Sequence, residues 1–140
     1  MFARITGLVL LAGLSALVAV SSAEGRHLDA LCFGSAPTIT GSGTITGTGG
    51  DDVIVGSDGA DTIKGQAGND KICGGAGDDT LAGGPGDDQV DGGPGNDTLS
   101  GGAGNDRLLG GEGDDSIQCG TDNDVADGGP GTNKIGRAHV

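Results

Sequence analysis

The sequence predicts an all-β fold, a right-handed parallel β-roll (β-solenoid) assembled from nine-residue half-coils. Three observations predict it. From Gly47 to Gly136 the chain repeats every nine residues, with glycines at fixed places in each copy. The eighth place in each copy is apolar, and an aspartate recurs at the sixth. In register the copies read GTGGDDVIV, GSDGADTIK, GQAGNDKIC, GGAGDDTLA, GGPGDDQVD, GGPGNDTLS, GGAGNDRLL, GGEGDDSIQ, CGTDNDVAD and GGPGTNKIG.

Composition alone points elsewhere. The 140 residues include 33 Gly, two Phe and no Trp or Tyr, too little aromatic bulk for an ordinary globular core. Twenty acidic residues against seven basic ones give a net charge of −13, as in a disordered acidic tail. Disorder needs no register, however, and the strict period argues for a repeat structure. The negative charge argues against direct nucleic-acid binding.

Residues 1–23 read as a secretory signal. Arg4 provides the positive start, Ile5 to Val20 the apolar stretch, and Ser21-Ser22-Ala23 a small-residue cleavage site before Glu24. A membrane anchor is the weaker reading, because the stretch contains Gly7, Gly13 and Ser15 and ends in small rather than basic residues. No stable membrane span is expected after cleavage, and the mature chain is expected to be secreted.

Residues 24–46 are expected to form an N-terminal cap and a metal-free first coil. The stretch TITGSGTIT (38–46) has the strand half of the repeat without its aspartates. Leu28, Leu31 and Phe33 would pack on the open end of that coil, since repeat stacks need caps. His27 and Asp29 fall in this stretch and are read as part of the cap, not as a catalytic or metal pair.

Residues 47–134 form the roll. The glycine-rich half of each copy is turn chemistry, and the remainder, such as DTLSG around Leu99, gives a strand of about three residues. Two copies close a coil. The eighth positions (Ile54, Ile63, Ile72, Leu81, Val90, Leu99, Leu108, Ile117, Ala126 and Ile135) face inward as a thin aliphatic core. Positions seven and nine are mostly polar, as an outward face requires. Collagen would place glycine at every third residue, and an EF-hand needs a twelve-residue loop ending in Glu; neither pattern occurs.

Alternate copies share an edge. Asp52, Asp70, Asp88, Asp106 and Asp124 therefore stack along one side, and Asp61, Asp79, Asp97 and Asp115 along the other. Neighbours one coil apart sit roughly 4.8 Å from each other. Carboxylates at that spacing repel by about 1 kcal/mol in water and by more where solvent is excluded. A hard dication between successive turns reverses the sign. Calcium tolerates the irregular cage of carboxylates and carbonyls better than magnesium does, and cysteines and histidines do not cluster as zinc requires.

The pattern G-G-x-G-x-D-x-U-x resembles the calcium-binding nonapeptide repeat of RTX (repeats-in-toxin, hemolysin-type) proteins, in their small secreted form. The resemblance implies that the nine sixth-position aspartates and the turn carbonyls are Ca2+ ligands, with about six or seven ions along the two ladders. The fifth-position residues (Asp51, Asn69, Asp78, Asp87, Asn96, Asn105, Asp114 and Asn123) suit the turn and are read as structural. Asp58, Asp91, Asp122 and Asp127 fall off the pattern and are read as solvated charge. Sites near the C-terminal end are expected to be weaker, because Asp122 replaces a glycine, Ala126 thins the core and Asn133 replaces the ligand.

Three cysteines leave one unpaired. Cys73 and Cys119 are placed on the same edge, three coils or roughly 14 Å apart, beyond disulfide reach. Cys32 is expected to fold back from the cap to Cys73. Residues 135–140 read IGRAHV, which resembles one translated frame of a short-read sequencing adapter. They are expected to be an artefactual tail, the natural chain continuing past Asn133.

The function expected from these readings is a secreted calcium-binding protein that folds on binding and has no catalytic activity of its own. No H-E-x-x-H and no assembled nucleophile triad is present in the sequence. The alternative is a truncated piece of a larger secreted RTX enzyme or adhesin. Calcium ions are the expected partners, nucleic acid is not, and protein or surface partners are left open.

Overall fold

The computed structural model describes residues 31–137. The secretory signal at 1–23, the part of the cap at 24–30 with His27, Leu28 and Asp29, and residues 138–140 lie outside the described residues.

Among the described residues twelve strands follow one another: β1 (Ile39–Thr40), β2 (Thr44–Thr46), β3 (Val53–Ser57), β4 (Thr62–Lys64), β5 (Lys71–Gly75), β6 (Thr80–Pro85), β7 (Gln89–Pro94), β8 (Thr98–Ala103), β9 (Arg107–Glu112), β10 (Ser116–Thr121), β11 (Val125–Asp127) and β12 (Lys134–Gly136). Odd strands form one six-stranded parallel sheet and even strands the other, so the chain alternates between sheets at every turn. The result is a β-solenoid. Among the described residues no helix is long and apolar enough to cross a membrane.

Register follows the repeat. Ile54 lies against Ile72, Val90 against Leu108, and Leu81 against Leu99 on neighbouring strands, so eighth-position side chains stack in files. Nine aliphatic residues at this place, from Ile45 to Ile117, are buried between the sheets. Ala126 is only partly buried against them. Ile135 is 44% exposed, contrary to its expected place in the core, because no described coil packs above β12.

Strands β6 to β10 run six residues each, twice the expected length. The turn glycines themselves pair across coils, as Gly84 does with Gly102 and Pro85 with Ala103. That pairing requires close approach. Gly84 has φ +124°, and a Cβ there would overlap the carbonyl of Gln66 one coil back.

Residues 39–46 supply the first strand of each sheet, β1 against β3 and β2 against β4. Cys32 folds back and is bonded to Cys73, their Cα atoms 5.8 Å apart. Lys71 Nζ donates to Ser35 Oγ beside this link. Two expectations need correction. Leu31 is 64% exposed and does not pack on the end of the roll. Cys119 lies in β10, in the sheet opposite Cys73 in β5, because it occupies the first place of its repeat and Cys73 the ninth of its own. The thiol of Cys119 is buried and free.

Candidate metal centre

The sixth residue of each repeat closes the turn and opens the next strand, two places before the core residue. Its side chain therefore faces the same way and enters the corner where the sheets meet. Asp52, Asp61, Asp70, Asp79, Asp88, Asp97, Asp106 and Asp115 are all buried there, and Asp124 is half-buried. Eight buried carboxylates in one small chain are a large departure from the usual rule that acids stay in water unless paired.

Seven of the nine carboxylates accept the N–H of the aspartate one coil before. On one edge the N–H of Asp52 donates to Asp70 Oδ1 at 2.8 Å, Asp70 to Asp88 at 2.8 Å, Asp88 to Asp106 at 2.9 Å and Asp106 to Asp124 at 2.9 Å. On the other edge Asp61 donates to Asp79 at 2.7 Å, Asp79 to Asp97 at 2.8 Å and Asp97 to Asp115 at 2.9 Å. Asp115 donates to Asn133 Oδ1 at 2.8 Å, so the amide carries on the ladder where the acid is lost. The nine aspartates are thus gathered into the two ladders that the sequence period places on opposite edges.

The second oxygen of each carboxylate separates two classes. Oδ2 of Asp70, Asp79, Asp88, Asp97, Asp106 and Asp115 is buried and meets no hydrogen-bond donor. Each lies under the first-position glycine of its own repeat, where a Cβ would overlap it; Gly83 covers Asp88 and Gly92 covers Asp97. The carbonyl oxygen of the next coil reaches the same place, that of Gly101 lying 2.8 Å from where a Gly83 Cβ would be. Orphaned carboxylate oxygens beside main-chain carbonyls, in a hollow kept open by glycine, fit a hard oxygen-seeking cation. Among the described residues no three His, Cys, Asp or Glu side chains converge, so such a cation would draw much of its shell from the turn carbonyls.

Asp52 and Asp61 differ. Thr48 donates to Asp52 Oδ2 through both its N–H (2.6 Å) and its hydroxyl (2.9 Å). Ser57 does the same to Asp61 Oδ2, at 2.6 and 2.9 Å. Reading the sequence as nine equal copies missed this pair. The signal was present, since these two copies carry a hydroxyl residue where most others carry the second glycine.

Burial without a partner raises the carboxyl pKa values. Loss of hydration, then neighbouring carboxylates, pushes Asp88 and Asp97 up to about 6, and Asp70, Asp79 and Asp106 also rise for these reasons. The ladder hydrogen bonds act in the opposite sense but are outweighed. Off the ladders, Asp91 is half-buried, and loss of hydration raises its pKa, so it is not the fully solvated charge expected from the sequence.

The fifth-position residues form an outer ladder of opposite sense. Asn69 N–H donates to Asp51 Oδ1, Asp87 to Asn69, and Asn105 to Asp87, at 2.7 to 2.9 Å. Asn96 and Asp114 do likewise on the other edge. Their oxygens hold backbone amides at the exposed surface, which is a turn-stabilising role.

A family profile described as the RTX calcium-binding nonapeptide repeat matches in four overlapping copies, at residues 46–81, 74–108, 82–117 and 100–135. No curated protein and no solved structure matches the chain. The matched stretch contains both aspartate ladders and the glycine hollows above them, and the chain belongs to the RTX calcium-binding repeat family.

Proposed function

We propose that this is a secreted, non-catalytic calcium-binding protein whose coils fold as the metal binds along both edges. The observation that carries the reading is the set of six buried Oδ2 atoms without donors. A buried acceptor left unsatisfied costs about 1–3 kcal/mol, and more when charged. Six such costs are comparable to the whole stability of a small domain, about 5–15 kcal/mol. A dication shared between successive coils removes that cost and the repulsion along the ladder together, so binding free energy becomes folding free energy.

The apolar stretch at 1–23 supports export, as does the Cys32–Cys73 disulfide, a bond that persists in oxidising compartments. Ligation by the ladder aspartates and the turn carbonyls would accommodate about six ions. The acidic edges suit ion uptake.

The test is a far-ultraviolet circular dichroism titration of the exported chain, first in chelator and then through millimolar calcium. A cooperative gain of strand signal with calcium, weaker with magnesium, is expected. A spectrum that does not change on addition of calcium would refute folding on binding.

A further inference from the structure

We infer that the first two turns of the roll, closed by Thr48 and Ser57, take no metal and form a calcium-independent nucleus onto which the later coils fold. The inference rests on the calcium reading above, since it assigns which aspartates stand outside it.

The same substitution occurs twice, with the same geometry. Thr48 and Ser57 each give Asp52 and Asp61 two donors at 2.6 and 2.9 Å, on the oxygen that elsewhere is left bare. Their hydroxyls also accept the N–H of Gly50 and Gly59, at 3.2 and 3.3 Å, which tightens the turn locally. The other oxygen of Asp61 accepts the N–H of Gly43 from the preceding coil. A neutral donor pair thus fills the place of the cation.

The third copy shows that merely replacing the glycine is not enough. Gln66 occupies the same place but keeps the left-handed backbone of the glycine turns, with φ +89°, and Asp70 Oδ2 below it has no donor. The change of class therefore falls between Asp61 and Asp70.

The rest of the N-terminal end has the same independence. The coil at 38–46 carries no aspartate. Thr38 and Val53 are joined by two bonds through the threonine hydroxyl, and the Cys32–Cys73 disulfide ties this end to the third repeat. Up to Lys64 the ladder Oδ2 atoms therefore have donors without calcium, whereas each repeat from Asp70 to Asp115 adds an orphaned oxygen. In a stack where each repeat contacts only its neighbours, such an end templates growth. Calcium then orders the coils from the N-terminal end toward the C-terminal end, at the six orphaned oxygens from Asp70 to Asp115.

Hydrogen exchange on the full chain in chelator tests the nucleus directly. The amides of Thr48, Ser57 and Thr62 are expected to exchange at least roughly tenfold more slowly than those of Thr98 and Ser116, and calcium is expected to protect all five. Equal exchange across the five in chelator would overturn the inference. Ser57→Gly provides the second arm, by equilibrium dialysis against calcium. Restoring glycine should open a site at Asp61 and raise the ions bound by one per chain; an unchanged count would mean that Asp61 already ligates. If the wild-type chain took up no calcium, the functional reading would fail, and the exchange comparison in chelator would still decide on the nucleus.

Discussion

The N–H of Asp79 donates to Oδ1 of Asp97 at 2.8 Å, one coil further on, while Oδ2 of that same carboxylate meets no donor. One half of the group is a structural acceptor, and the other half is the one that, on the calcium reading proposed above, would face a cation. The two roles can be separated by substitution. Asp97→Asn keeps an acceptor and loses the charge, as the native Asn133 already does beneath Asp115. Calcium titration of the variant should show a midpoint raised roughly tenfold and lower cooperativity, with greater stability in chelator than the wild type. Asp97→Ala should lose on both counts.

The raised carboxyl pKa values have a definite sign. Asp88 and Asp97 titrate near 6 when folded, against an ordinary value of 3.8. The folded metal-free chain therefore binds protons more tightly than the unfolded one. The stability so gained is fully present below the ordinary carboxyl range and is lost as pH rises through about 6. In chelator the coils that carry Asp88 and Asp97 should show more strand signal at the acid end of this window than above it. Calcium, which must displace those protons, should bind more weakly there. Opposite slopes would contradict the burial of uncompensated carboxylates.

Gly83→Ala tests the hollow itself. Its Cβ would overlap Asp88 Oδ2 and lie 2.8 Å from the Gly101 carbonyl, yet Gly83 does not have a positive φ. The cost is therefore one of space, not of backbone conformation. One site should be lost and the calcium-loaded chain destabilised by about 2 kcal/mol or more. A thermal melt with and without calcium separates these effects, because the loss should be larger with the metal.

Reducing the Cys32–Cys73 bond frees the capping segment from the third repeat. With its ends 41 positions apart in sequence, the link should contribute about 3–4 kcal/mol by restricting the unfolded chain. Chemical denaturation of Cys73→Ser should show that loss both in calcium and in chelator. Cys119, buried and unpaired in the opposite sheet, should be slow to react with thiol reagents until the roll opens.

Much of the fold was legible because the period carries both register and direction. A residue nine places along lies in the opposite sheet, and one eighteen places along lies directly alongside, as Ile54 does with Ile72. The same arithmetic placed the aspartates in two ladders. It could not say which carboxylate oxygen faces the neighbouring amide, a matter of backbone geometry at the corner. Nor did it separate Asp52 and Asp61 from the rest, because a hydroxyl in the turn looks like an ordinary substitution until its 2.9 Å contact is seen. Cys119 was misplaced for a simpler reason: the boundary between copies falls within a strand, so adjacent first and ninth places belong to the same sheet. Leu31 follows no period, and apolarity alone did not fix its position.

The decisive measurement is calcium uptake itself, by equilibrium dialysis of the full chain at millimolar free calcium. Several ions should bind per chain, saturably, and fewer in Asp79→Ala/Asp97→Ala. Uptake no greater than that of a non-binding acidic protein of equal charge would contradict it.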